Sequence, residues 1–461
     1  MRFFSLEFLI FISAILLLYW FVKRVEIQNI LLVVGSYLFC GWLHPAHAVI
    51  LGFNTIVAYL TGNGIVRTQR RKKLWFGLGL VLVVGIYSFY KYQNFFIPSL
   101  NPESTFFERK ILLPLGISFY TLRIISYLVD CYRQEKGVIE NFIELSLYIA
   151  FFPQLLAGPI DRAGKLIPQI QKPRKWTWGN FFAAWPLLVM GIFKKVFIAD
   201  NIKIIVDKTF ALQEPSKFLL LTGAIGFSLQ ILADFSGYTD ISRGISHLLG
   251  FDTSENFNSP YLSLTPNDFW NRWHITLSTW LRDYIFFPVR RFLLRRFRNL
   301  SPLITTAVPA LITMFISGMW HGEQINFIVW GLYYGVLIVV YQMAGIKVDW
   351  GARSIHKSVV AWVVMFSLIV FGWMIFRAPS LDWLVNVLVS QPVLGSNETF
   401  LVGIVSLSMT LFYAIPLFIK FVIDLLPRYS QELSGIFYAI ATLLIIVYSN
   451  SSSPDFIYVQ F

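Results

Sequence analysis

The sequence predicts an all-α integral membrane protein, a multi-helix bundle of about eleven to fourteen spans with broken or re-entrant helices around a cavity. Three observations carry that expectation. Of 461 residues, 56% are hydrophobic and only 14% are charged, against roughly 25% charged in soluble domains. Apolar runs approaching the ~20 residues that cross a bilayer core recur along the chain, among them Leu6 to Val22, Leu74 to Tyr90, Phe218 to Ala233, Pro302 to Trp320 and Val359 to Phe376. In the middle of the chain, proline, glycine and ionisable residues interrupt such runs.

Strands of a membrane barrel alternate in polarity and would not give unbroken runs, so the spanning elements are expected to be helices, which satisfy their own backbone in lipid. The first run follows Arg2, ends at Lys23-Arg24 and holds no small-residue cleavage pattern. It reads as a retained anchor rather than a signal peptide. Cys40 and Cys131 sit in or beside apolar segments without a C-x-x-C partner, which implies neither a disulfide framework nor a metal site. The formal charge of +13 concentrates at Arg67 to Lys73, Lys172 to Lys175 and Arg290 to Arg298. Short basic loops mark the cytoplasmic face and contact anionic lipid, which places Lys23-Arg24 inside. Nothing in this distribution asks for nucleic acid.

One polytopic membrane domain is expected over residues 1–461, with a core at about 111–335. The polar stretches Asn94 to Lys110 and Ile160 to Trp178 are loop-sized. Within the core, Phe151-Phe-Pro-Gln-Leu-Leu-Ala-Gly-Pro-Ile160 is too broken for a straight helix. Strict alternation would put the basic stretch Arg162 to Lys175 outside, a conflict that a re-entrant Phe151 to Ile160 removes. Ala233 to Arg243 brings two aspartates and an arginine to the end of another run. Such groups survive at membrane depth only inside protein or beside a water-filled cavity.

The densest polar segment is Pro266 to Tyr284. As one helix it would place Asn267, Asn271, His274, Ser278 and Arg282 on a single face, the pattern of an aqueous path. His274 alone also fits packing glue between helices. Asp268 and Asp283 face away and are expected to pair with Arg272 or other basic groups. His321 closes the apolar run Pro302 to Trp320, with Trp320 as a wall on one side and Gly322 as open backbone on the other. Its ring suits proton transfer near neutral pH, although an interfacial histidine beside an interfacial tryptophan has the same spacing. His44 and His47 lie in a turn expected to be exposed, His356 in a polar loop, and His247 at a rim or in packing. No H-e-x-x-h or C-x-x-C array suggests a metal, and no G-x-S-x-G elbow supplies a serine nucleophile.

Five segments together resemble a known family: Phe152 to Arg162, Asp234 to Asp240, Glu255 to Tyr261, Phe269 to Tyr284 and Trp320-His-Gly322. They are similar to the membrane-bound O-acyltransferases, nearest the bacterial alginate O-acetylation branch, with the branch transferring D-alanine to teichoic acid close behind. The likeness runs from about Phe4 to about Gly335. It implies a funnel through the membrane, the family's nearly invariant histidine at His321 and its second, funnel-lining histidine at His274. Relatives often carry a histidine where this chain has Tyr334.

The resemblance further implies an acyltransferase of the inner membrane. It would move an acyl group, expected to be acetyl, from a cytoplasmic thioester (acetyl-CoA or an acyl carrier) toward an exported or cell-surface polysaccharide. No permanently bound cofactor and no metal are expected. His321 and His274 are the expected catalytic residues, and Asn267, Asn271, Ser278, Arg282 and Trp320 the substrate-binding ones. In the alginate-like branch the implied partner is a periplasmic SGNH-type acyltransferase. Alternatives are D-alanyl transfer to teichoic acid and a non-enzymatic lipid or sugar transporter, in which the same stripe is a translocation path.

Overall fold

The computed structural model describes residues 5–93, 113–134, 139–297, 299–346, 354–426 and 430–449. The stretch Asn94–Lys110, the expected core boundary at Ile111, and Arg2, Arg298 and Arg353 lie outside the described residues. Among the described residues all regular structure is helical. Among the described residues, nine helices are long and apolar enough to cross a membrane. Leu6–Phe21, Val25–Gly41, Phe142–Gln154 and Leu381–Ser390 are shorter apolar helices, and the expected number of spans is reached only by counting some of these.

The chain forms two compact units. The first holds the described residues up to Leu187 together with Ile241–Ser254. Its helices are α1 (Leu6–Phe21), α2 (Val25–Gly41), α3 (Pro45–Arg67), α4 (Lys72–Lys91), α5 (Ile117–Arg133), α6 (Phe142–Ala150) and α7 (Ala163–Ile170). Local chemistry starts several of them. Ser5 caps α1 by accepting from the Phe8 N–H, Asn141 caps α6 at Ile143, and α3 opens with Pro45 at its first turn behind a His44 cap. Proline costs nothing there because that N–H has no helical partner. His47, expected in an exposed turn, is instead buried on α3, while His44 is exposed. His356 likewise stands in the first turn of a helix, Ile355–Arg377, rather than in a loop.

The interrupted segment after α6 is re-entrant in form. With nine residues, α6 is about 13 Å long, less than half of the roughly 30 Å hydrocarbon core. It begins beside the C-terminal part of α3, where Tyr59 Oη donates to the Glu140 carbonyl and the Tyr59 ring meets Phe142. It then reaches the middle of α2, where the Phe152 N–H donates to Ser36 Oγ at 3.2 Å. After the turn, the chain comes back to the start of α2. Asn29 donates to the Ile170 carbonyl at 3.1 Å, Arg174 to Asn29, and Gln28 to the Val22 carbonyl. Antiparallel α2 and α3 put residues 22–29 and 67–73 at one face, so 142–174 enters and leaves by that face.

The buried turn has its polar groups satisfied by one cation. Arg123 on α5 donates to the carbonyls of Tyr148 (3.0 Å) and Pro159 (3.2 Å) and to Gln154 Oε1. Gln154 donates onward to Asp161 at 2.6 Å, and Asp161 also accepts from Ser254. Removing one member of such a buried charged network typically costs about 3–5 kcal/mol, because the remaining charge is stranded.

The second unit holds Leu188–Asp240 and the described residues from Glu255 onward. Its elements include α8 (Trp178–Phe193, shared with the first unit), a π-helical turn (Lys194–Ala199), α9 (Asp200–Phe210), α10 (Lys217–Leu248, likewise shared), α11 (Pro266–Arg272), α12 (Ile275–Leu281), a second π-helical turn (Arg282–Phe286) and α13 (Phe287–Arg296). Then follow α14 (Ile304–His321), α15 (Ile325–Met343), α16 (Ile355–Arg377), α17 (Leu381–Ser390), α18 (Asn397–Asp424) and α19 (Ser430–Tyr448). Asp234 and Asp240 do not end a run as expected; both lie within α10. Lys195, 1% exposed, bonds Asp234 and Asp200 at 2.8 Å each, and Lys194 bonds Asp240 at 2.7 Å. A π turn shifts the helical register, and here both consecutive lysines meet carboxylates of one neighbouring helix. The motif aspartates therefore serve ion pairing inside the bundle. Leu401, Leu411, Phe412 and Phe418 of α18 and Leu443, Ile446 and Val447 of α19 are exposed, as a lipid-facing surface requires.

The shared face of residues 22–29, 67–73 and 162–174 is tested by labelling. In a background without Cys40 and Cys131, Lys165→Cys is expected to react with a membrane-impermeant maleimide only after permeabilisation. Labelling in intact cells contradicts the re-entrant path.

Candidate active site

The expected single helix over Pro266 to Tyr284 is broken. It starts well: Thr265 Oγ1 accepts from the Asp268 N–H and Pro266 opens the first turn. At Trp273 the backbone becomes extended, and His274 has φ +42°, in the left-handed region. A non-glycine residue there costs of order 1–3 kcal/mol unless its surroundings hold it. The holder is the segment 256–258. The Ile275 N–H donates to the Asn256 carbonyl, and the Asn258 N–H to the Arg272 carbonyl, both at 3.0 Å. Asn256 Oδ1 accepts from the Thr276 N–H (3.1 Å) and Thr276 Oγ1 (2.8 Å), and lies 3.1 Å from His274 Nδ1. Asn256 thus caps α12 from outside the helix. Sequence reading assigned it no role, although it sits inside the Glu255 to Tyr261 motif.

The Thr276 N–H can only donate, so the amide atom facing it is the oxygen, and the imidazole must present Nδ1–H to that oxygen. This leaves the neutral ring's lone pair on Nε2. His274 is 1% exposed, and burial pushes its basicity down, to about 3, because a charged ring would lose its hydration. The imidazole is neutral throughout the physiological range.

A cavity of about 380 Å³ lies entirely within the second unit. Asn267, Asn271, Ser278 and Arg282 all line it, with Thr313 and Gln342 opposite and Trp270 and Met314 as apolar wall. Four of the five residues of the expected stripe therefore do converge. The fifth does not: the break turns His274 off this face, and its ring packs edge-on against Phe235 at 4.8 Å. Asp268 pairs with Arg272 at 2.7 Å and Asp283 with the cavity-lining Arg282 at 3.1 Å, both as expected.

His321 also lies off the cavity. It is the last residue of α14 and 5% exposed, so the turn that follows starts at Gly322. Its ring is edge-on to Trp330 (5.0 Å) and Phe376 (5.2 Å), and 5.0 Å from Trp320. Trp320 also neighbours His274, with ring centroids 6.3 Å apart. Both histidines thus adjoin one tryptophan. Trp270 connects this group to the cavity: it lines the cavity and meets Trp330 at 5.8 Å. Met314, also in the cavity wall, is two turns before His321 on the same helix face, about 10 Å away along the axis.

Two glycines bring α14 and α15 together behind these rings. A Cβ on Gly318 would lie 2.3 Å from the Phe327 carbonyl oxygen, and one on Gly331 2.2 Å from that of Met314. Small residues at such crossings let membrane helices approach closely. Gly322, expected as open backbone beside His321, instead accommodates the Phe327 ring, 2.6 Å from where its Cβ would be. Tyr334, which stands where relatives carry a histidine, is fully buried and stacked on Phe269 at 5.6 Å. Glu323 and Gln324 are exposed.

Comparison with known proteins settles the class. A profile of the membrane-bound O-acyltransferase family matches residues 107–375. The chain belongs to the membrane-bound O-acyltransferase family. It is 35% identical to a probable alginate O-acetylase of Pseudomonas aeruginosa over 395 residues, 83% of this chain and 73% of that protein. It is 31% identical to a peptidoglycan O-acetyltransferase of Helicobacter pylori over 80% of this chain and 74% of that one. Similarity to a teichoic acid D-alanyltransferase of Bacillus subtilis is 30% over 57% of this chain and 68% of the other. The protein is an acyltransferase and a multi-pass membrane protein, as its family and its candidate spans show.

The glycine crossing that seats His321 predicts a position-specific loss. Gly331→Ala drives a Cβ into backbone that cannot rotate away, so melting of the detergent-solubilised protein should fall by the equivalent of about 1–3 kcal/mol. Gly435→Ala, which meets nothing within 4 Å, should not lower it.

Proposed function

We propose that this acyltransferase O-acetylates an exported or cell-surface polysaccharide, drawing acetyl groups from a thioester donor on the cytoplasmic side. The observation that carries the reading is the grouping of His274, Trp320 and His321 one aromatic layer from a polar cavity. Attack of a hydroxyl oxygen on the thioester carbonyl forms a C–O bond and breaks the C–S bond. His321 takes the hydroxyl proton and returns it to the departing thiolate. His274, neutral, accepts through Nε2 a hydrogen bond from a second hydroxyl of the acceptor, beside the one that reacts. Asn267, Asn271 and Ser278 hold substrate amide and hydroxyl groups in the cavity, Arg282 stabilises negative charge, and Trp320 separates and orients the two imidazoles. Burial of the rings keeps water from competing for the acyl group.

Acetyl transfer is favoured over D-alanyl transfer by the two O-acetylating relatives, which match over 80% or more of this chain, against 57% for the D-alanyl one. A periplasmic SGNH-type acyltransferase is proposed as the partner that completes transfer to polymer. The test is the acetyl content of surface polysaccharide in cells carrying His321→Ala at normal protein level. Acetylation should fall to the level of the deletion strain. Unchanged acetylation refutes an enzymatic role for His321, and loss of unmodified polymer from the surface points to a transporter.

A further inference from the structure

We infer that Asn256 is a positioning residue for the transfer reaction: its side-chain oxygen holds His274 in the Nδ1–H tautomer and aims the Nε2 lone pair toward Trp320 and the reacting groups. The inference rests on the reading that His274 takes part in transfer.

Three features of the geometry lead there. First, Asn256 is 1% exposed and its Oδ1 receives Thr276 N–H, Thr276 Oγ1–H and His274 Nδ1–H together. An ordinary helix cap needs only the first of these. Second, the residue it engages sits at φ +42°, a conformation that turns the imidazole away from the polar stripe of its own segment and toward Phe235 and Trp320. The backbone bond from the Ile275 N–H to the Asn256 carbonyl pins that same residue from its other side. Third, a neutral imidazole has one donor and one acceptor nitrogen, and which is which follows from the partner of the other. Without an acceptor at Nδ1 the proton is free to move to Nε2. The ring would then offer a donor where a hydroxyl needs an acceptor.

An amide serves here where a carboxylate would not. Asn256→Asp keeps an oxygen that caps α12 and accepts from Nδ1, but it adds a negative charge that stabilises the imidazolium. As pH falls through the raised value, the ring charges and Nε2 ceases to accept. Activity of the variant should therefore be lost on the acid side at higher pH than in the wild type. A residue that only caps a helix would not move the pH dependence.

The experiment uses the full-length protein in inner-membrane vesicles, with acetyl-CoA or an acetylated carrier protein, whichever the wild type consumes, and reads thiol release against pH. Expected for Asn256→Asp is normal abundance and melting, with an acid limb that is displaced upward and steepened, because His274 then titrates beside the base His321. Expected for Asn256→Ala is a kcat lowered at least roughly tenfold with KM for the donor changed less than about twofold. A wild-type pH profile in folded Asn256→Asp, or wild-type kcat in Asn256→Ala, overturns the assignment. Failure of both variants to accumulate as folded protein also overturns it, leaving Asn256 a fold residue. His274→Ala is measured alongside: full activity there removes the parent reading, whereas an inactive His274→Ala with an unshifted Asn256→Asp removes only the role given to Asn256.

Discussion

The amide oxygen of Asn256, accepting from Thr276 twice and from His274 once, is what allows a helix to break in the interior of this protein. Backbone that leaves a helix where water is scarce must find every partner within the chain. The break at Trp273–His274 meets that demand through residues 256–258, and the turn after α6 meets it through Arg123 and Gln154. Each arrangement buries a strongly polar side chain to serve irregular backbone. Each therefore fixes its segment in one conformation, since any other leaves donors or acceptors without partners.

Breaking the helix separates two tasks that a continuous stripe would have merged. Asn267, Asn271, Ser278 and Arg282 stay on the cavity, while His274 turns into an aromatic group with Trp320 and His321. In the proposed reaction the polar residues hold substrate, and the buried imidazoles move protons where water does not compete. The close α14–α15 crossing at Gly318 and Gly331 supplies rigidity to His321, because the backbones touch with no side chain between them. Behind them, Trp330, Trp373 and Phe376 form a continuous packed wall.

The membrane class, the helical architecture, the broken stretch at Phe151–Ile160 and the convergence of four polar residues were legible in the sequence, because hydropathy and helical spacing are local properties. The break at His274 was not. Trp273 and His274 are neither glycine nor proline, and the cause lies in Asn256, eighteen residues away. The aspartates of α10 were visible, but their partners Lys194 and Lys195 lie about forty residues upstream and meet them only through a π turn that no composition signals. His47 was misplaced for a related reason: Pro45 reads equally as a turn and as the first residue of a helix. Gly322 was read as open backbone, when it in fact admits the ring of Phe327 from the next helix.

That acyl transfer takes place at the polar cavity beside the two histidines is tested most directly by filling that cavity without touching either imidazole. Ser278→Phe, compared with wild type at equal abundance and melting temperature, should lower acetyl transfer at least about 100-fold, since even small displacements of reacting groups carry losses of that size. Transfer at the wild-type rate with the cavity filled would place the reaction elsewhere in the protein.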